Sequence, residues 1–229
     1  MPLIEFRKAA VTYDGEPVLQ PLTVSLTEQR IGIIGSNGSG KSTTVRMING
    51  LIEPTSGEVL YDGLSPHSDG KEIRKRVGFV FSDAESQIVM PRVADDVAFS
   101  LRRFKLPRDE VRRRVTEALD RFGLTDRAEH SPHTLSGGEK QMLALASVLV
   151  IQPDTIIADE PTTLLDLRNR RRIVRELLAL PQQLIVVTHD LEMLREFERV
   201  LVIDDGSLVF DGDPNDAIAF YTDLMDAKP

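Results

Sequence analysis

Short runs of consecutive apolar residues alternate with amphipathic segments along most of this chain. The runs Ile31–Ile34, Thr155–Ala158, Leu184–Val187 and Val200–Ile203 are typical of strands that are buried on both faces of a sheet. Val77–Phe81 is a further strand-like run. Because segments with helical periodicity separate these runs, the pattern predicts an α/β fold whose parallel sheet is built from right-handed crossover units.

Three segments predict helices from their caps and their periodicity. Apolar residues repeat at helical spacing through 108–122, and Gly123 follows as a candidate C-cap. Ser136 and Glu139 have the spacing of a capping box at the start of a second helix. A third helix is predicted after Asp213, where proline occupies the first helical position.

The first sixty residues predict antiparallel strands instead. Residues 3–11 and 22–27 have strand patterns, with the turn signal Tyr13-Asp14-Gly15 between them. A further hairpin is predicted at Gly57–Tyr61, closing on Asp62-Gly63. An antiparallel sheet is therefore expected to precede the parallel core.

The composition of the chain limits the cellular compartment and the kinds of catalysis and binding that we expect. The chain has 229 residues, 41% hydrophobic and 28% charged, and a formal net charge of −8. No apolar run reaches the roughly eighteen residues of a membrane span, and residues 1–10 do not have the pattern of a signal peptide. The chain has 0 cysteines, which excludes disulfides and thiol catalysis, so we expect a cytoplasmic protein. Its acidic balance argues against broad nucleic-acid binding.

A complete phosphate-loop pattern, G-x-x-x-x-G-K-[ST], follows the first buried run directly. Its members are Gly35, Ser36, Asn37, Gly38, Ser39, Gly40, Lys41 and Ser42. Glycines let backbone N–H groups approach phosphate oxygens, while Lys41 supplies a charge for the β- and γ-phosphates. The Ser42 hydroxyl can ligate Mg²⁺. A helix predicted from Thr43 to Leu51 adds the positive end of its dipole, so the pattern predicts a nucleoside triphosphate site.

Polar residues also follow two other buried strands. Asp159 and Glu160 stand at a strand end, where one carboxylate can hold Mg²⁺ and its neighbour can deprotonate a water molecule. His189 ends another predicted strand, although a lone histidine is more often a surface residue. Ser136–Gly138, at a helix start, is a second potential anion site whose simpler interpretation is a well-capped helix.

Together these motifs resemble the ATP-binding cassette (ABC) ATPases over nearly the whole chain. The family signature is present as Leu135–Gly138, and Asp159 with Glu160 matches the Walker B pair, followed by the loop at 161–166. His189 matches the switch histidine, and Tyr13 matches the aromatic residue that stacks on adenine. The resemblance implies a P-loop NTPase with a RecA-like parallel core and an N-terminal antiparallel β subdomain. It also implies one domain over 1–229, with a helical signature subdomain at about 83–152.

The resemblance implies a role for each phosphate-loop partner. The loop from Gly35 to Ser42, with Thr43, would hold ATP and Mg²⁺, and Asp159 would support the metal. Glu160 would be the general base, and His189 would contact the γ-phosphate.

The family arrangement also implies a second copy of the chain. Two copies pair head to tail, and ATP is bound between the phosphate loop of one and the signature of the other. Ser136, Gly137 and Gly138 would reach the partner's γ-phosphate, and Asp166 would lie at the dimer seam. This arrangement would account for the second anion site.

Ser82 departs from the family pattern. The family normally has glutamine at the end of the strand Val77–Phe81, where it touches Mg²⁺ and senses the membrane partner. A serine hydroxyl can still ligate magnesium, although its reach is shorter, so Ser82 joins Ser42 and Asp159 as a metal-ligand candidate. Gln87 matches a different family position.

Two segments indicate which group of ABC ATPases the chain resembles. Residues 87–99 resemble ATPases of energy-coupling factor (ECF) vitamin and metal importers, and Glu139-Lys140-Gln141 is common there. Residues 159–169 look most like the ATPase of biotin importers, with cobalt and nickel importers as the alternative. The resemblance implies a peripheral location on the inner face of the membrane. Its implied partners are a transmembrane coupling protein and a substrate-binding membrane protein, with no nucleic acid.

Other interpretations stay open at this point. The Arg-rich stretches 102–114 and 168–172 fit a solvated helix face or a contact with the coupling protein, the latter more at 88–106. A soluble ABC ATPase acting on ribosomes or DNA is the alternative from another class. A regulatory subunit with little hydrolysis is suggested by Ser82 but opposed by Glu160 and His189.

Overall fold

The chain divides into two structural units. The first comprises Met1–Val77, Asp154–Glu160 and 180–228, and the second comprises Gly78–Pro153 and Pro161–Ala179. The structure is a computed structural model that describes residues 1–163 and 165–228. Leu164, in the loop that the resemblance assigns to 161–166, lies outside the described residues. The boundaries predicted for a helical subdomain at 83–152 stay a prediction.

Strands and helices are numbered in chain order. The strands are β1 (Ile4–Tyr13), β2 (Glu16–Leu26), β3 (Arg30–Ile34), β4 (Ser56–Tyr61), β5 (Val77–Val80), β6 (Thr155–Asp159), β7 (Gln183–Val187), β8 (Arg199–Asp204) and β9 (Ser207–Gly212). The helices are α1 (Lys41–Ile48), α2 (Pro66–Arg76), α3 (Val93–Ser100), α4 (Arg108–Arg121), α5 (Gly137–Leu149), α6 (Leu167–Leu178), α7 (Leu191–Leu194) and α8 (Pro214–Asp226). Short 3₁₀ turns occupy Glu85–Gln87, Arg102–Phe104, Thr125–Arg127 and Pro132–Thr134.

The expected antiparallel sheet is present in the first unit, in the order β2-β1-β4. Its first turn is at Asp14 and Gly15, both of which have positive φ. The predicted hairpin at Gly57–Tyr61 is corrected, because β4 pairs with β1 and Tyr61 makes only a single bridge to Leu64 beyond the turn. Gly57 allows this pairing, since a Cβ there would lie 2.0 Å from the Lys8 carbonyl oxygen.

The parallel core of the first unit confirms the predicted α/β class. Strands β6, β7, β3 and β8 are parallel neighbours in that order, and β9 pairs antiparallel with β8 at one edge. The apolar residues of β6, β7, β3 and β8 are almost fully buried, as continuous apolar runs predict. The phosphate loop follows β3, Asp159 ends β6 and His189 follows β7. Parallel pairing therefore brings all three to the carboxyl edge of one sheet.

The second unit is mainly helical and confirms the predicted helices there. Helix α4 covers the periodic segment predicted at 108–122, and Gly123 follows it with φ of 66°. Its apolar face is buried through Val115 and Leu119. Within residues 1–163 and 165–228, no helix has both the length and the apolar character needed to cross a bilayer.

Candidate nucleotide site

Glycines shape the phosphate loop because the chain passes too close to itself for side chains. A Cβ on Gly35 would lie 1.9 Å from the Ile203 carbonyl oxygen, and one on Gly40 would lie 2.9 Å from that of Val18. Gly40 and Gly38 also have left-handed φ values of 101° and 79°. Larger residues at Gly35 and Gly40 would therefore not fit without displacing the backbone.

Helix α1 begins at this loop with no side-chain cap hydrogen bond at its N-terminus. Its N-cap residue is Gly40, which has no side chain to accept the first N–H groups. Such N–H groups, together with the helix dipole, favour an anion at this position. Ser39 adds a hydroxyl that is buried and has no hydrogen-bond partner among the described residues.

Lys41 brings a buried ammonium group to the same loop. The side chain is only 6% exposed, and Nζ donates to the carbonyl oxygens of Gly35 and Ser36 at 2.8 and 2.7 Å. Burial lowers the Lys41 pKa, and the charges of Glu160 and Asp159 oppose that decrease. The sheet edge therefore holds one ammonium group close to two carboxylates.

Ser42 and Asp159 meet directly across the sheet edge. Ser42 Oγ donates to Asp159 Oδ1 at 2.8 Å, and Asp159 is 2% exposed. Arg46 donates to the other carboxylate oxygen at 3.0 Å. Asp159 is therefore a buried carboxylate held by the first and second turns of α1.

A Mg²⁺ ion fits this donor pair. Hydroxyl and carboxylate oxygens are ligands that Mg²⁺ accepts, and adjacent ligands of an octahedral site with 2.0–2.1 Å bonds lie about 2.9 Å apart. The oxygens of Ser42 and Asp159 are 2.8 Å apart. No cluster of three or more His, Cys, Asp or Glu suited to a metal occurs in the described part of the chain. Proteins usually hold Mg²⁺ through one or two carboxylates together with substrate phosphates.

Glu160 and His189 face each other at the ends of neighbouring strands. His189 Nε2 lies 3.2 Å from Glu160 Oε1 and 3.1 Å from Asn37 Oδ1 of the phosphate loop. Since an amide oxygen only accepts, Nε2 carries the hydrogen. Burial, and then the charge of Lys41, lowers the His189 pKa, which favours the neutral ring at neutral pH.

Glu160 also has an unusual backbone. Its φ is 53°, in the left-handed region that residues with a Cβ seldom adopt, while its N–H donates to the Val187 carbonyl oxygen at 2.9 Å. A residue in that region costs about 1–3 kcal/mol and is found most often at functional sites. This left-handed residue directly follows β6, and its carboxylate lies 3.2 Å from His189 Nε2.

Two further candidates of the first unit lie at its surface or on α1. Tyr13 ends β1 and is 49% exposed, so its ring is free to receive a flat ligand. Thr43 is partly buried in the first turn of α1. Their roles in nucleotide binding remain predictions.

The signature residues lie in the second unit, where Ser136 caps α5. Its hydroxyl accepts from the Glu139 N–H at 3.3 Å, and Glu139 Oε2 accepts from the Ser136 N–H and hydroxyl at 2.8 Å each. These bonds form the predicted capping box. The bond from the Ser136 N–H contributes most to a lowered Glu139 pKa. A carboxylate therefore already occupies this helix start.

The signature glycines differ in the space around them. A Cβ on Gly137 would meet nothing within 4 Å, whereas one on Gly138 would lie 2.3 Å from the side chain of Asn169. Asn169 is itself bonded to Asp166, which caps α6 and accepts from the Asn169 N–H and Nδ2 at 2.8 and 2.9 Å. The Asn169 side chain thus lies between Asp166 and Gly138, and the sequence motifs did not identify it as a site residue.

Ser82 follows β5 in the second unit and is exposed. The Gln87 side chain bonds to the backbone at the end of β5. Its amide oxygen accepts from the Phe81 N–H at 3.2 Å, and its amide nitrogen donates to the Phe79 carbonyl oxygen at 3.3 Å. The Gln87 side chain is thus bonded to the backbone of Phe79 and Phe81. Ser82 as a metal ligand stays a prediction.

Arg46 is the clearest contact that sequence reasoning missed in the first unit. It stands four residues after Ser42 on α1, so both side chains project from one helix face toward Asp159. That spacing was a signal available in the sequence.

Comparisons with known proteins agree with this geometry. A family model described as "ABC transporter" matches residues 19–163. A Deinococcus radiodurans protein, named only as an ABC transporter ATP-binding protein, is 51% identical over 97% of this chain and 99% of its own length. The biotin transport ATP-binding protein BioM of Rhizobium etli is 46% identical over 96% and 98%. The ECF transporter ATP-binding protein EcfA of Methanothermobacter thermautotrophicus is 39% identical over 93% and 71%.

Solved structures give the same result. CbiO1 of Clostridium perfringens, part of an ABC transporter complex, has a TM-score of 0.83 at 31% identity, covering 97% of this chain and 93% of that one. A dimeric ATP-binding cassette in a post-hydrolysis state with ADP and Pi has a TM-score of 0.82 at 29% identity, covering 93% and 99%. These likenesses confirm the predicted P-loop NTPase fold, ATP as the nucleotide and ATP hydrolysis as the activity. The chain belongs to the ABC transporter family, as one of its ATP-hydrolysing subunits, and resembles those of ECF and biotin transporters.

Proposed function

We propose that this ATPase powers an importer of the ECF type and that biotin is the transported substrate. The observation that carries the proposal is the likeness to BioM, which extends over 96% of this chain and 98% of that protein. Likeness to EcfA supports the ECF class. A cobalt or nickel importer is the alternative, because no residue of an ATPase subunit needs to touch the cargo.

At the hydrolytic site, the chain's own residues have separate tasks. Lys41, Ser42 and the loop N–H groups would hold the triphosphate. Asp159 and Ser42 would hold Mg²⁺, which would supply positive charge against the phosphate oxygens. Glu160 takes a proton from the attacking water, and His189 Nε2 donates toward the γ-phosphate.

We propose that the site is completed by a second copy, paired head to tail. The Ser136–Gly138 segment of that copy would contact the γ-phosphate, and Asp166 would lie at the seam. A dimeric ATP-binding cassette at 29% identity supports this arrangement. Within each copy the Glu139 carboxylate occupies the signature segment. It must move away before the γ-phosphate bound by the other copy can contact that segment.

The exposed segment before α3 is the proposed contact with a transmembrane coupling protein. Val89 is 61% exposed, while Asp96, buried at 3%, accepts from the N–H groups of Val89 and Met90 at 2.9 and 3.0 Å. Ser147 of α5 donates to the same carboxylate at 3.2 Å. A rigid backbone thus presents an apolar side chain to solvent, as a docking site requires. The subunit would then lie on the inner face of the membrane.

A deletion strain of the source organism tests import. Uptake of labelled biotin should disappear, and return with the wild-type gene but not with Glu160→Gln. Loss of cobalt or nickel uptake with normal biotin uptake would instead support the alternative. Normal uptake of all three would contradict the transport proposal.

Val89→Asp tests the docking contact in the same strain. It should lower biotin uptake while ATP affinity of the purified subunit stays unchanged. Val209→Asp is the matched control, since Val209 is 40% exposed on β9. Equal uptake by the two variants would contradict the assignment of Val89.

A further inference from the structure

Lys228 and Asp204 form an ion pair that none of the nucleotide-binding motifs includes. Lys228 follows α8, and its Nζ donates to Asp204 Oδ1 at 2.6 Å and lies 3.8 Å from Asp205 Oδ2. Asp204 ends β8 and is 9% exposed. The bond to Asp204 raises the Lys228 pKa, so the amine is charged at neutral pH.

Asp204 is fixed against the phosphate loop. Ser36 Oγ lies 3.4 Å from Asp204 Oδ1, the oxygen that also accepts from Lys228. The turn that follows β8 is bonded to the loop as well, because the Gly206 N–H donates to the Ser39 carbonyl oxygen at 3.0 Å. The carboxylate therefore has little freedom to move away from the loop.

A fixed carboxylate at this position opposes the binding of a triphosphate. Like charges repel across the poorly screened interior of a protein, and the loop is otherwise built for anions. The field extends to Tyr221 of α8, whose pKa is raised by burial and then by the charge of Asp204. Among the residues that the structure describes, Lys228 is the cation that forms an ion pair with Asp204, so removing this lysine leaves the Asp204 charge without its counter-charge.

We propose that Lys228 maintains nucleotide affinity by neutralising Asp204 beside the phosphate loop. Lys228 is thus a positioning residue that acts through Asp204 and does not touch the nucleotide. The segment after α8 can then regulate ATP binding, since any partner or modification that draws Lys228 away leaves the negative charge facing the loop. This inference goes beyond the proposed transport function and does not depend on the cargo.

Lys228→Met tests the inference in the full chain. The Kd for a fluorescent ATP analogue and the KM for ATP should both rise roughly three- to tenfold, with kcat unchanged. Lys228→Arg keeps the charge and should bind as wild type does. Lys75→Met is the control, because it removes the Lys75–Glu72 ion pair at 2.8 Å on α2.

A second substitution tests whether the loss of ATP affinity in Lys228→Met comes from the unpaired charge or from altered packing. Asp204→Asn removes the negative charge but keeps an oxygen that can accept from Ser36, so the double variant Lys228→Met/Asp204→Asn should recover wild-type affinity. An unchanged Kd in Lys228→Met would overturn the proposal. So would a loss of affinity that Asp204→Asn fails to restore, or one that Lys228→Arg shares.

Discussion

Helices α1 and α5 both begin at a glycine-containing segment, yet their first turns are completed differently. Helix α1 begins at Gly40 without a side-chain cap, and the loop before it holds the buried Lys41. Helix α5 begins with the reciprocal cap of Ser136 and Glu139. The start of α1 therefore has N–H groups without a side-chain acceptor, and we call it the open start. The start of α5 is capped by the chain's own side chains, and we call it the closed start. This difference agrees with the proposed roles, in which the loop before α1 binds nucleotide within one copy and the signature contacts the nucleotide of a second copy.

Removing the charge at the open start should have the largest effect. Lys41→Met is expected to raise the Kd for ATP by about 10- to 100-fold, because a charge-assisted hydrogen bond contributes about 1.5–3 kcal/mol. Titration with a fluorescent ATP analogue measures it, with Lys75→Met as the control. If Lys41→Met binds ATP as wild type does, α1 is not the primary anion site.

Removing the cap at the closed start should alter stability without altering binding. Ser136→Ala is expected to lower the free energy of unfolding by about 0.5–2 kcal/mol, since it deletes an N-cap bond. Urea denaturation measures the change. Ser65→Ala is the matched control, because Ser65 caps α2 without a side-chain bond. A drop in the ATP affinity of the single copy would contradict the separation of the two sites.

Ser82→Gln should have the smallest effect. Restoring the family glutamine is expected to leave ATP binding intact and to preserve or raise turnover in the assembled complex. Phosphate release, measured in that complex, checks the expectation. If the variant abolished hydrolysis, serine would not be a tolerated stand-in at this position.

The sequence predicted the open start more completely than the closed one. Apolar runs and an unbroken loop pattern located Gly35–Ser42, because glycine spacing and a preceding strand are local features. The capping box of Ser136 and Glu139 was equally local, and it is confirmed. The sequence alone could not show that Glu139 holds the Ser136 hydroxyl, nor that Asn169 fills the space above Gly138, since such contacts depend on packing.

Long-range pairings explain the other misses. The segment Gly57–Tyr61 was predicted to close on its own turn, but β4 pairs with β1, about fifty residues earlier in the chain. Asp204 and Lys228 reach the loop only after β8 and α8 are in place. Charged residues at turns and helix ends are ordinary surface features in a sequence, so no local pattern marked either of them.

ATP-dependent dimerisation of Glu160→Gln tests the central claim, that each nucleotide site needs the signature of a second copy. Light scattering with Mg²⁺ and ATP should give twice the 25.5 kDa of one chain, because binding is kept while water activation is lost. Adding Gly137→Glu, at a position where a Cβ meets nothing within 4 Å, should keep the variant monomeric by placing an acid at the signature. A Glu160→Gln protein that stays monomeric with ATP, or a double variant that still dimerises, would contradict the account.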